Sequence, residues 1–374
     1  MRVIVVGAGV AGLTCAARLR AAGVDVVVVE ARDRIGGRIW PGTVAGTRVD
    51  LGASWIHGPV GNPVAEYCKV NGIPFRSDGP WGARMQVHDA DGSLISHTAL
   101  SAVVAAWGDF DPAESLPHLA DGASLGESIE WYLADRGLAG PPAEAVRFSL
   151  NWLEGALNIG GDPRQISAAG AAQYELHPGG NAVIAGGYGT LIDHLSAGLD
   201  LNLNERVLAI EHGDVRVVVS TDRRSITADR VVVTVPVSVL GSIVFDPALP
   251  APIRDACIRL RMSTVEKIVL RFSDRWWPED LRRLVFLHPA HRFPAWMDLS
   301  GHVGGPTLIG FFNPVLSGVP DEPGDRFDMA LEDLRTMFGT VPKPVGGLTT
   351  DWRNDPYARG AYSYIPVGAT AADM

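Results

Sequence analysis

Gly7-Ala-Gly9-Val-Ala-Gly12 lies between a β-branched run, Arg2 to Val6, and a stretch, Val10 to Ala22, whose apolar residues recur at helical spacing until Gly23. Strand, glycine turn and helix in that order form a cradle for a dinucleotide. Gly7 permits the turn, Gly9 lets the backbone approach a pyrophosphate at the helix N-terminus, and Gly12 lets helix and strand pack closely. The near-continuous valines of Val24 to Val29 read as a parallel strand buried on both faces, and that strand ends on Glu30. A carboxylate at that point accepts hydrogen bonds from ribose hydroxyls and disfavours a 2′-phosphate, which argues against NADP. Gly36 and Gly37 give a second close backbone approach, and the Arg38 guanidinium offers a charge-assisted fork to a diphosphate.

The run Glu30-Ala-Arg-Asp-Arg-Ile-Gly-Gly-Arg38 resembles the extended fingerprint of FAD enzymes of the amine oxidase superfamily. The resemblance assigns Glu30, Arg32, Gly36, Gly37 and Arg38 to the cofactor, together with Gly7, Gly9 and Gly12. Leu51-Gly-Ala-Ser-Trp-Ile-His-Gly58 is similar to the family's flavin-contacting loop, which implies contacts from Gly52, Ala53, Ser54 and Trp55. Its Trp-Ile-His-Gly form looks most like polyamine oxidases, in which the histidine at the position of His57 helps orient the amine. In Asn204-Glu-Arg-Val207 the family sets the valine backbone against the adenine. Lys267, in Thr264-Val-Glu-Lys-Ile-Val-Leu, matches the active-site lysine. It shares a strand face with Val265 and Val269, and that apolar setting lowers a lysine pKa. Asp351-Trp-Arg-Asn-Asp-Pro-Tyr-Ala-Arg-Gly-Ala-Tyr-Ser-Tyr364 resembles the segment beside the flavin ring, with Trp352 flanking the ring and Tyr362 as one wall of an aromatic cage. Monoamine oxidases carry a cysteine before that tyrosine and attach FAD through it. Here the residue is Ala361, so noncovalent FAD is implied. The family pattern ends in a Gly-Glu-x-Thr segment that closes over the flavin, and this sequence stops before it, at Ala371-Ala-Asp-Met374. A fragment, a site completed by a second chain, and loss of the cofactor all fit that ending.

The elements needed to position these residues are legible in part. The expected fold is α/β. A Rossmann-like FAD-binding domain comes from discontinuous segments, 1–75 and 185–245, and an inserted α+β substrate domain from 76–184 and 246–345. Residues 346–374 return to the flavin site. Helices are expected at Ser124 to Arg136, where Ser124 and Glu127 form a capping box, at Pro141 to Leu157, at Thr190 to Gly198 and near Phe327 to Phe338. Leu201 to Val207 and Val215 to Ser220 read as strands, Arg230 to Val235 as a buried valine run, and Met85 to Ser96 as a hairpin around Asp89-Ala-Asp-Gly92.

Composition narrows the function. The chain has 374 residues, 47% of them hydrophobic, and a net charge of −10. An acidic chain repels phosphate backbones and argues against a nucleic-acid partner. It weakly favours cations such as amines. Three scattered cysteines without a framework point to a reducing, cytoplasmic setting. Val231 to Phe245, the most apolar later stretch, is too short for a membrane span. His288 and His291 lack a third ligand, so no metal is expected.

The reading is therefore FAD-dependent oxidation of a primary or secondary amine, favouring a polyamine or alkylamine, with O₂ reduced to H₂O₂. An L-amino-acid oxidase or a desaturase on the same scaffold is the alternative. The amino-acid oxidase would need an arginine for the substrate carboxylate, and Arg84 and Arg147 lie in the expected substrate region. A noncatalytic flavin-binding or partner subunit is the third reading.

Overall fold

The computed structural model describes residues 1–79, 84–174, 177–286, 288, 291–320 and 322–374. Its first strand, β1 (Arg2–Val6), helix α1 (Val10–Ala21) and second strand, β2 (Asp25–Val29), form the expected βαβ unit. Gly23 ends the helix with φ +77, a conformation that a side chain resists. β1 and β2 pair in parallel, and the same sheet takes in Asp200–Asn202 beside β2 and Arg230–Val233 beside β1, both also parallel. One sheet is thus assembled from residues more than two hundred apart. Val3, Val5, Leu13, Ala16, Leu191 and Ile192 pack on one side of it; Ile4, Val6, Val27, Val29, Ile210 and Val219 pack on the other.

A second, six-stranded sheet runs in the order Gly346–Thr349, Glu266–Arg271, Thr307–Phe312, Ala295–Asp298, Arg283–Phe286, Met85–His88. Its central strands are fully buried, with Ile268, Val269, Leu270 and Ile309 at 0% exposure. Helices cover its far end. The capping box at Ser124 is present in both directions, and the helix it starts runs Leu125–Asp135.

Several elements depart from the sequence reading. The strand expected over Leu201 to Val207 is two pieces, Asp200–Asn202 and the start of Val207–His212. Between them Asn204 takes φ +54, which asparagine tolerates better than most residues. The Asn204 and Glu205 amides donate to the carbonyls of Arg32 and Glu30 at 2.7 and 2.9 Å, so the chain leaves the sheet to cross the end of β2. The Arg230–Val233 valines are half-buried rather than buried, because this is an edge strand with a neighbour on one side. The helix expected over Pro141 to Leu157 starts at Gly140 and changes at Asn151 into a π-helix that ends at Ile159. Of the hairpin at Met85 to Ser96, only Met85–His88 is a strand; Leu94 makes one bridge to His88, and Ser96 caps the next helix. No helix among the described residues is long and apolar enough to cross a membrane.

The tightest contact of the βαβ unit is at Gly12. A Cβ there would lie 1.9 Å from the Gly7 carbonyl oxygen and 2.8 Å from Thr234 Oγ1. Neither Gly7 nor Thr234 can retreat freely, since the Thr234 amide and hydroxyl both donate to Val6 O at 2.9 Å. Gly12→Ala is therefore expected to destabilise the apoprotein by roughly 1–3 kcal/mol or more. Denaturant unfolding would measure this, and wild-type stability would show that α1 is free to shift.

Candidate active site

One cleft of about 590 Å³ runs from the glycine turns of the parallel sheet to the six-stranded sheet. Gly7, Gly9, Glu30, Arg32, Gly36, Gly37, Arg38, Gly52, Ala53, Val207, Lys267, Trp352 and Tyr362 all line it. The sequence-derived residues that do not line it are Gly12, Ser54, Trp55 and His57.

At the glycine end the two turns interlock by backbone. The Gly36 amide donates to Ala8 O at 2.8 Å, and Gly9 and Gly36 form a parallel bridge. Gly9 is the N-cap of α1 and makes no side-chain cap; a Cβ on it would meet nothing within 4 Å. The free helix N–H groups therefore face open space, as an anionic diphosphate requires. Glu30, 7% exposed, accepts from the Ala8 and Arg32 amides at 2.8 and 2.9 Å, which fixes its carboxylate at the cleft wall. Arg32 forms a two-pronged ion pair with Asp355, at 2.7 and 2.5 Å, and lies over the Tyr357 ring. Arg38 carries no carboxylate among the described residues; it donates to the Ala361 carbonyl at 2.9 Å, and desolvation lowers its pKa. These donors and open backbone fit a dinucleotide.

Lys267 closes the other end. Its strand, Glu266–Arg271, pairs with Thr307–Phe312 and Gly346–Thr349, so its backbone is held on both sides. The side chain is 7% exposed. Its Nζ donates to the Gly52 carbonyl and to Ser54 Oγ, the latter at 2.7 Å, and lies 5.3 and 5.6 Å from the Trp55 and Phe311 ring centroids. Burial lowers its pKa to about 8, against an opposing pull from Asp50. Ser54 and Trp55 thus stand behind the lysine, and the Trp55 indole N–H is tied to Asp78 at 3.1 Å. The loop that presents Gly52 lies flat on the chain before it: a Cβ on Gly52 would fall 1.8 Å from Arg38 O, and the Ala53 amide donates to that oxygen at 3.2 Å.

Trp352 is 4% exposed and meets Trp40 edge-on at 5.7 Å. Tyr362 lines the cleft and is 43% exposed, and desolvation raises its pKa. Its amide donates to Ser263 Oγ at 2.9 Å and its carbonyl accepts from the Ser263 amide at 2.7 Å. The C-cap of the π-helix, Gly160, packs against the same Ser263.

His57 is exposed, on the short strand Ile56–His57, with Nδ1 2.9 Å from Asn181 Oδ1. Arg147 is paired with Glu130 on the surface at 2.6 Å, and Arg84 is exposed; neither lines the cleft. Pro289 and Ala290, between His288 and His291, lie outside the described residues. Among the described residues no cluster of three or more His, Cys, Asp or Glu is placed to hold a metal.

Sequence reasoning missed Asp50, Glu205 and Asp355. Asp50 is a half-buried residue whose carboxylate, raised in pKa by desolvation, accepts from the Tyr188 amide at 3.0 Å and faces Lys267. Glu205 lines the cleft and pairs with Arg224 at 2.9 Å. Each partner is far away in sequence, so no local pattern marks these residues.

A family model described as flavin containing amine oxidoreductase matches residues 10–374. The chain belongs to that family. Members of the family contain a flavin, and the open cradle at the N-terminus of α1 fits the dinucleotide form, FAD. The chain is 29% identical over 407 residues to lysine-specific histone demethylase 1 homolog 1 of Oryza sativa subsp. japonica, covering 99% of this chain and 47% of that protein. It is 30% identical over 400 residues to lysine-specific histone demethylase 2 of Homo sapiens, covering 98% and 48%. It therefore spans about half the length of these demethylases. Against polyamine oxidase 3 of Oryza sativa subsp. japonica the identity is 29% over 389 residues, covering 98% of this chain and 79% of the oxidase. A solved structure of wild-type putrescine oxidase bound to putrescine shares the fold. Its TM-score is 0.79 at 20% identity, over 98% of this chain and 89% of that one.

Two outcomes follow from this geometry. Gly9→Ala is expected to leave apoprotein stability within about 0.5 kcal/mol of wild type while weakening FAD binding at least tenfold, read by flavin fluorescence titration; unchanged affinity would place the diphosphate elsewhere. For Lys267, the ordinary pKa is 10.5 and the folded one about 8, so between these values the unfolded chain holds a proton that the folded chain lacks. Stability must then rise with pH across that window. Relative to Lys267→Met, which does not titrate, the wild type is expected to gain about 3 kcal/mol from pH 8 to 10.5 and nothing below pH 8. A flat difference between the two unfolding curves would show that the lysine is not desolvated.

Proposed function

We propose that this protein oxidises a primary or secondary amine with noncovalently bound FAD, and that a polyamine or related alkylamine is the substrate. The observation that carries the reading is the meeting of Lys267, Trp352 and Tyr362 at one end of the cleft whose other end is the glycine cradle. Bound FAD would supply the two-electron chemistry, as hydride acceptor for the carbon next to the amine nitrogen. The residues of the chain arrange everything else.

The amine must bind neutral, because only its lone pair can drive hydride loss. Tyr362 and the buried Trp352 offer aromatic surface in place of water, and such a setting favours the uncharged form. Lys267, whose pKa burial lowers to about 8, stays mostly protonated at neutral pH; with two of its N–H bonds taken by the Gly52 carbonyl and Ser54 Oγ, the third is left to hold a water. Glu30 would hold the ribose hydroxyls, and Arg38 with the N-terminus of α1 would hold the diphosphate. Ala361 offers no thiol for covalent attachment. Water would hydrolyse the product imine to an aldehyde, with ammonia leaving from a primary amine and a smaller amine from a secondary one, and O₂ would take up the two electrons and two protons as H₂O₂.

The polyamine assignment is supported by the Trp55-Ile-His57-Gly58 loop and by polyamine oxidase relatives covered over 79% of their length. The net charge of −10 adds a weak attraction for cations. His57 would orient the chain of the substrate from outside the cleft lining.

Acid precipitation of the FAD-loaded protein is expected to release all flavin into the supernatant; flavin in the pellet would overturn noncovalent binding. Stopped-flow reduction should then be fastest with spermidine or putrescine among a panel including benzylamine, L-amino acids and an N-methyl-lysine peptide. A preference for the peptide would assign the chain to demethylation, and a preference for amino acids to the amino-acid oxidase alternative. His57→Ala should lower kcat/KM more for spermidine than for benzylamine. Equal losses would make His57 structural.

A further inference from the structure

Glu266 precedes Lys267 on the same strand, so the two side chains leave it on opposite faces. Glu266 is fully buried at 0% exposure, and no cation pairs with it among the described residues. One carboxylate oxygen accepts from Thr350 Oγ1 at 2.5 Å and the other from the Arg353 amide at 3.0 Å. Thr350 in turn accepts the Lys267 amide on its hydroxyl at 2.8 Å and donates its own amide to the Lys267 carbonyl at 3.0 Å. The Arg326 guanidinium holds the Thr350 carbonyl from the other side at 2.7 Å. A continuous set of bonds therefore runs from the Lys267 backbone through the Thr350 hydroxyl and the Glu266 carboxyl to the turn that carries Trp352.

An acid in such a place is unfavourable unless its bonds do something an apolar residue could not. Burial pushes the carboxyl pKa upward, as expected of a group that lacks a counter-charge. The paired strand Gly346–Thr349 ends just before Thr350. Beyond that point sheet pairing no longer dictates where the chain goes, and it is there that Glu266 takes hold of it.

We propose that Glu266, acting through Thr350 and the Arg353 amide, is a positioning residue that sets the placement of the Trp352 ring relative to Lys267. The inference rests on the reading above, in which those two residues flank the flavin, and it adds the group that holds them in register.

Two near-isosteric variants test it. Thr350→Val removes the hydroxyl that links Lys267 to Glu266. Glu266→Gln keeps one acceptor for the Arg353 amide but turns an NH₂ toward the Thr350 hydroxyl, leaving that proton without its acceptor. Thr350→Ser keeps the link and serves as the rescue. In the apoprotein, amide hydrogen exchange over residues 350–354 is expected to be at least tenfold faster in Thr350→Val and Glu266→Gln than in wild type, and near wild type in Thr350→Ser. In the FAD-loaded protein, the first two should shift the visible circular dichroism of the flavin and slow its reduction by amine at least tenfold. Flavin content and substrate affinity should be retained.

Wild-type exchange in both variants would overturn the tether. Faster exchange with unchanged flavin dichroism and reduction would show a tether that does not position the site, which also overturns the proposal. So would failure of both variants to fold while Thr350→Ser folds, since the network would then support the fold as a whole. If the wild type is reduced by no amine, the proposed activity fails, while apoprotein exchange still decides whether Glu266 holds the Trp352 turn.

Discussion

Lys267 ends at 7% exposure with two neutral oxygens and two aromatic rings around its nitrogen, and among the described residues no carboxylate forms a salt bridge with it. Keeping a cation there is costly, and that cost shows as a pKa lowered to about 8, only partly offset by the carboxylate of Asp50. Much of the nearby architecture serves that condition. The Gly52 carbonyl is within reach only because the loop after Leu51 lies against Arg38, where any side chain on residue 52 would collide with backbone. Trp55 covers the nitrogen only while Asp78 holds its indole N–H, and Asp78 is itself fixed by Arg283 at 3.2 Å and His302 at 2.7 Å.

The cleft sorts charge along its length. At the cradle end, Arg32 is already neutralised by Asp355, and that ion pair joins the Glu30-to-Arg38 motif to the Trp352-to-Tyr362 segment. Arg38 faces the cleft with a carbonyl as its partner, and Arg359 also lines the cleft, donating to the Ser238 carbonyl at 3.0 Å. On the proposed reading this suits a diphosphate at that end and an uncharged amine at the other. Two like cations side by side at the cradle would bind the diphosphate more strongly but repel each other in the free protein.

How much of this was legible in the sequence follows from how far apart the interacting groups are. The βαβ unit, the Ser124 capping box and the strand around Lys267 were readable because each is encoded within a few residues: glycine spacing, an acid three residues after a serine, alternation of apolar side chains. The crossing at Asn204 was not, because it depends on carbonyls of Glu30 and Arg32, which no window containing Asn204 includes. The π-helix was missed for a different reason, since its apolar spacing from Asn151 to Ile159 still resembles an α-helix. Arg32 was assigned to the cofactor from its motif, and its ion pair with Asp355, 323 residues away, was invisible. Ser54 and Trp55 came from a motif too, yet they lie behind the lysine. A motif reports that residues belong near a site without saying which atom each one faces.

The same distance argument explains why the site is assembled from so many separate segments. No single element could hold an open helix N-terminus, a desolvated lysine and an aromatic wall within one cleft of about 590 Å³. The parallel sheet fixes the first through β1 and α1, the six-stranded sheet fixes the second, and the segment after Thr349 brings the third between them. That last segment has little sheet pairing of its own beyond Ser363–Tyr364 against Arg261–Met262. Its geometry must come from side chains: Glu266 and Thr350 at its start, Arg32 with Asp355 in its middle, and Ser263 with Tyr362 at its end. A wall held by three separate polar contacts can be adjusted at one without unfolding the others, so the aromatic surface can change while the sheet beneath Lys267 stays fixed.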